Sequence, residues 1–178
     1  YYLGKRRFSE DHPNIYVRML EEFKGWIFLE EEAMALKGKW QEAFTQKDLP
    51  LDLEIGCGNG YFFENVVKTN PQRNFLAMEI KFKPLVQTIR RVKRVHAQNG
   101  KGIRFHAKYI KDVFGPQEVN NVFIYFPDPW PKSRHEKNRL LTTSFLTDLY
   151  SVQKVGGYLD FKTDSESYFD FMQEQVGH

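Results

Sequence analysis

The sequence predicts an α/β fold with a doubly wound, mainly parallel sheet, and three observations lead there. From Leu51 onward short apolar runs alternate with longer amphipathic ones, the pattern of strands joined by helical crossovers. The first apolar run passes into Gly56-Cys57-Gly58-Asn59-Gly60, a glycine-rich loop where an open parallel sheet turns its first strand into its first helix. The chain has 178 residues and no internal repeat, enough for one compact domain whose right-handed crossovers restrict the topology.

Taken in order, residues 1–48 are polar and aromatic, with helical periodicity through Tyr16, Met19, Leu20 and Phe23 and again from Ile27 to Trp40. They are expected to form an N-terminal helical appendage to a domain over 49–178. Strands are expected at Leu51 to Ile55, Phe75 to Ile80, Ile103 to His106, Asn121 to Phe126 and Gly157 to Lys162. Helices are expected at Tyr61 to Lys68, Pro84 to Asn99, Ile110 to Phe114, Arg139 to Val152 and Ser167 to Gln175. A start at Tyr1 without methionine, and an end just after a helical pattern, fit ends trimmed relative to the gene product.

The 26 Lys and Arg against 23 Asp and Glu give a net charge of +3. That is compatible with a nucleic-acid partner without requiring one, so placement of the cations matters more than their sum. The single cysteine, Cys57, excludes an internal disulfide and fits a reducing cytoplasm. The histidines (His12, His96, His106, His135, His178) lack paired metal-ligand spacing, so no metal is expected. No apolar run approaches the roughly 20 residues of a membrane span, and no signal-peptide pattern opens the chain. A cytoplasmic protein with no membrane association is expected.

The glycine loop has the spacing G-x-G-x-G; Tyr61 stands where a dinucleotide fingerprint needs its last glycine. Gly56, Gly58 and Gly60 let backbone approach a ligand closely. Glu54, just before the loop, would repel pyrophosphate and suits an amino or sulfonium cation. Glu79 closes the second strand, where a carboxylate can accept both hydroxyls of a ribose. A nucleoside without phosphates satisfies both, and S-adenosylmethionine is the candidate. The bland alternative, a tight turn with two solvated strand ends, does not account for strand, loop, helix and Glu79 in one unit. Cys57 is read as a small side chain without a chemical role.

A second segment follows the fourth strand: Phe126-Pro127-Asp128-Pro129-Trp130-Pro131-Lys132-Ser133-Arg134-His135-Glu136-Lys137-Asn138-Arg139. Three prolines in five residues forbid helix and hold Asp128 in place. Lys132, Arg134, His135, Lys137 and Arg139 come next, positioned to grip a polyanion while the aspartate works on one of its bases. On these residues alone, a turn-capping Asp128 and a functional one weigh about equally. A further basic run, Lys81, Lys83, Arg90, Arg91, Lys93, Arg94 and His96, reads as a solvated helix face more readily than as an RNA contact. Lys5-Arg6-Arg7 is a smaller cluster.

These residues together resemble the bacterial tRNA (guanine-N7-)-methyltransferase family over about Leu51 to Tyr168. The specific part is Pro127 to Lys132 with Arg134 to Leu140, similar to the family's P-D-P-W-x-K and R-H-x-K-R-R-L signatures; Thr163-Asp164 is similar to its strand ending in T-D. The resemblance implies a Rossmann-like class I methyltransferase fold and transfer of a methyl group from S-adenosylmethionine to guanine N7 in the tRNA variable loop. It also implies that Glu54, Glu79 and Asp128 contact the cofactor, that Asp128 is catalytic, and that Lys132 and Asp164 contact RNA. Three positions depart from the pattern. Tyr109 stands where the family carries Asp or Asn, leaving adenine to backbone amides or stacking. Asn138 replaces one arginine. No T-x-x-E follows Asp164 and the family's last strands are not in the given sequence; the fifth strand is an edge if the chain ends here, and nothing about function changes if the chain is trimmed.

Guanine N7 has a lone pair and no proton, so the reaction needs in-line placement rather than a base, and a carboxylate beside the purine can offset the charge that develops. Asp128 is therefore expected to orient and stabilise. Competing readings are a methyltransferase for another nucleic-acid base and an RNA-binding homologue with impaired catalysis. A nicotinamide dehydrogenase is disfavoured by Tyr61. The partner is tRNA, with the protein a monomer or homodimer.

Overall fold

The computed structural model describes residues 11–130 and 138–177. Six strands, β1 (Ile27–Phe28), β2 (Leu51–Ile55), β3 (Asn74–Met78), β4 (Gly100–Ile103), β5 (Val122–Tyr125) and β6 (Leu159–Lys162), form one sheet in the order β1-β4-β3-β2-β5-β6. Every pairing is parallel. The helices are α1 (Ile15–Arg18), α2 (Glu30–Ala35), α3 (Tyr61–Thr69), α4 (Phe82–Arg94), α5 (Ile110–Val113), α6 (Thr143–Val152) and α7 (Glu166–Val176). None of the described helices is long and apolar enough to cross a membrane.

Helices cover both faces of the sheet, as the period-2 alternation of side chains requires. Leu76 and Met78 of β3 enter one apolar core with Leu51, Leu53, Ile55, Phe145 and Leu149. Phe75 and Ala77 enter the other, with Phe63 of α3 and Leu85, Ile89 and Val92 of α4.

Two expectations from the sequence are corrected here. The third strand, expected at Ile103 to His106, runs from Gly100 to Ile103. Its two glycines make room for α3 and α4, which press on the strand. A Cβ on Gly100 would lie 2.9 Å from Val67, and one on Gly102 2.9 Å from Leu85. The helical periodicity from Ile27 to Trp40 also fails in part. Ile27–Phe28 is a sixth strand paired with β4, too short for periodicity to find, and Trp40 is wholly buried in the core shared with β2.

Candidate active site

Because all strands run the same way, their carboxyl ends share one edge of the sheet. β2 lies at the switch point: the chain builds β3, then β4, on one side of it and β5, then β6, on the other. Loops leaving β2 and β5 diverge there, and in open α/β sheets that crevice holds the ligand. The glycine loop follows β2 and the Asp128 loop follows β5, so the two segments singled out in the sequence leave the sheet from neighbouring strands at the same edge.

The glycine loop is built from left-handed backbone, with φ of +76° at Gly56, +51° at Gly58 and +77° at Gly60. A Cβ at Gly56 or Gly58 would meet nothing within 4 Å, so this side of the loop is open. At Gly60 a Cβ would come within 2.7 Å of Thr88 Cα, so only glycine allows the close approach of α4. Thr88 supports the loop directly: its hydroxyl donates to the Gly58 carbonyl at 3.2 Å and lies 3.4 Å from Cys57 Sγ. Arg91 Nε donates to the Asn59 carbonyl at 2.8 Å. Sequence reasoning missed both supports. The available signal was a lone polar residue, Thr88, in the apolar stripe of Leu85, Ile89 and Val92. The basic face of α4 is also less free than a solvated run, since Arg91 and Arg94 both pair with Glu64.

β2 carries two buried carboxylates on the face opposite Leu51, Leu53 and Ile55, and they differ sharply. Asp52 is 1% exposed. It accepts two hydrogen bonds from the Arg73 guanidinium, at 2.5 and 2.7 Å, and one from the Asn121 amide at 2.9 Å. Glu54 is 5% exposed, and its Oε2 has no hydrogen-bond partner among the described residues. Burial first, and the charge of Glu79 second, push the Glu54 carboxyl up to about 8. A buried carboxylate left without a cation is costly. Asp52 is finished by the fold, whereas Glu54 has no ion pair among the described residues.

Glu79 stands just beyond β3, half-buried, with its amide on the Ile103 carbonyl at 3.0 Å and Oε1 accepting from the Lys81 amide at 2.9 Å. Tyr109 ends a 3-10 turn after β4, partly exposed, with its ring edge-on to His106. These two follow the carboxyl ends of β3 and β4.

On the other side Asp128 is exposed. Its loop holds two non-glycine residues in left-handed conformation, Phe126 at φ +50° and Trp130 at φ +44°, strained positions of the kind found where structure serves a site. The Phe126 amide donates to the Lys162 carbonyl of β6 at 2.8 Å. Asp164, exposed, follows the end of β6, one strand from β5. Arg139, expected among the phosphate-gripping cations, is 5% exposed, and its Nε donates to the Pro129 carbonyl at 3.1 Å. Lys132, Arg134, His135 and Lys137 lie outside the described residues.

A family model described as a putative methyltransferase matches residues 48–178. A tRNA (guanine-N(7)-)-methyltransferase of Bdellovibrio bacteriovorus is 39% identical over 87% of this chain and 75% of its own. One from Bacillus subtilis is 40% identical over 76% and 63%. The chain thus spans about two thirds to three quarters of the length of these relatives. Among solved structures, an rRNA methylase from Streptococcus thermophilus superposes with a TM-score of 0.53 at 16% identity, over 74% of this chain and 71% of that one, a likeness of fold. A family model over residues 48–178 and identity near two fifths over most of the chain make the conclusion plain: the chain belongs to the tRNA (guanine-N7-)-methyltransferase family.

Proposed function

We propose that this protein transfers a methyl group from S-adenosylmethionine to N7 of a guanine in tRNA. The observation that carries the reading is Glu54, buried with its Oε2 unpartnered among the described residues just before an open glycine loop at the switch point, on the strand next to the one that leads into Asp128. The names of the relatives supply the acceptor.

The residues present fit the cofactor. Glu54, when ionised, meets a cation; Glu79 suits the ribose hydroxyls; Gly56 and Gly58 leave room for close backbone contact; Tyr109 offers a ring face to adenine. When bound, S-adenosylmethionine supplies an electrophilic methyl group. The chain itself supplies placement. Asp128, two residues beyond the strained Phe126 and between two prolines, has little freedom to move. Its carboxylate accepts hydrogen bonds from the purine and offsets the positive charge that grows on the ring as N7 is alkylated. No proton leaves N7, so no general base is required. Lys132, Arg134, His135 and Lys137 supply a phosphate grip, and Asp164 contacts the RNA from the end of β6.

The test is methyl transfer to unmodified tRNA with nucleoside analysis of the product. The proposal expects 7-methylguanosine; a different methylated base, or none, would overturn it.

A further inference from the structure

Asp128 lies between two tethers. On one side the Phe126 amide is bound to Lys162 of β6. On the other, the Pro129 carbonyl receives Arg139 Nε at 3.1 Å. The second tether is a side chain, and what fixes that side chain lies on α7. The Arg139 guanidinium sits over the rings of Tyr168, at 5.3 Å, and Phe171, at 4.9 Å. Its Nη2 reaches Ser167 Oγ at 3.5 Å. Tyr168, fully buried, accepts the amides of Leu140 and Leu141 on its hydroxyl at 3.0 and 3.3 Å. The chain on both sides of the cation run is thus bolted to one helix.

We propose that Arg139 is a positioning residue for the Asp128 loop, locking it to α7 through Tyr168, and not a contact to RNA phosphate. This role rests on the methyl-transfer reading given above. Arginine suits it because a planar guanidinium can lie on aromatic faces while a nitrogen in its plane donates to a carbonyl; the compact ammonium of lysine does the two jobs less well together. A loop displaced by about 1 Å can cost about 100-fold in rate, so the effect belongs in kcat.

The experiment compares Arg139→Met and Arg139→Lys with the wild-type protein in methyl transfer to tRNA, in the salt dependence of tRNA binding, and in amide hydrogen exchange over Phe126 to Trp130. Arg139→Met is expected to lower kcat about 10- to 100-fold, leave KM for tRNA and the salt slope unchanged, and speed exchange at Phe126, Asp128 and Trp130. Arg139→Lys, which keeps a cation and a donor, falls between. A salt slope reduced by about one with kcat retained would identify a phosphate contact and overturn the proposal. Unchanged exchange in the loop would overturn it as well. Should Arg139→Met fail to fold, Arg139→Lys decides on the same three readouts. If the wild-type protein methylates no guanine, the functional reading fails by itself, and loop exchange still decides whether Arg139 holds the loop.

Discussion

The two sides of the crevice are built by different means. The β2 and β3 side is made of backbone: three left-handed glycines, a close approach of α4 that only Gly60 permits, and carboxylates fixed by their place on buried strands. The β5 and β6 side is held by tethers between segments apart in the sequence, one of backbone, Phe126 to Lys162, and two that each use a side chain, Arg139 to Pro129 and Tyr168 to Leu140. A pocket for one invariant small molecule can be set rigidly by local sequence. On the proposed function, the loop that meets RNA is held by contacts that can be altered one at a time.

The comparison can be broken most severely at Gly60. Gly60→Ala places a Cβ against Thr88 in a left-handed conformation and should cost about 2–4 kcal/mol, read by denaturant unfolding, with loss of cofactor binding. Gly56→Ala faces open space at a similar φ and should cost only about 1–2 kcal/mol. Equal costs at the two positions would remove the claim that α4 packing dictates Gly60.

Glu54 sharpens the comparison through pH. The folded protein holds this carboxyl up to about 8 against 4.5 as the ordinary value. The neutral acid therefore favours the folded state fully below about pH 4.5, and that contribution is lost as pH rises towards about 8. A cation in the site requires the ionised form, so cofactor affinity should rise with pH by up to about tenfold per unit and level off above about pH 8. Calorimetric titration across that range checks this, and Glu54→Gln should bind more weakly with a flat profile. The smallest effect is expected at the rim. Lys132→Ala should leave cofactor binding unchanged and lower the salt slope of tRNA binding by about one, read by affinity measurements at several salt concentrations.

Much of the backbone-built side was legible in the sequence, because glycine spacing and strand alternation are local signals. Glu54, Glu79 and the loop fall where they were expected. The misses share one physical cause. Gly100 and Gly102 look like turn residues until α3 and α4 are packed on them, and Thr88 looks incidental until Gly60 lies against it. Arg139 looked like one more cation in a basic run, and only the return of α7 encloses it between Pro129 and two rings. In each case the deciding partner lies far along the chain, so no local window contains it.

On the proposed function, Asp128 acts on the purine from a site assembled beside the cofactor. Its most direct test is Asp128→Asn, assayed in a single turnover on unmodified tRNA with saturating S-adenosylmethionine, beside a thermal unfolding scan. The account predicts an unchanged melting temperature and a loss of 7-methylguanosine formation of about 100-fold or more. Near-wild-type turnover by the folded variant would contradict it.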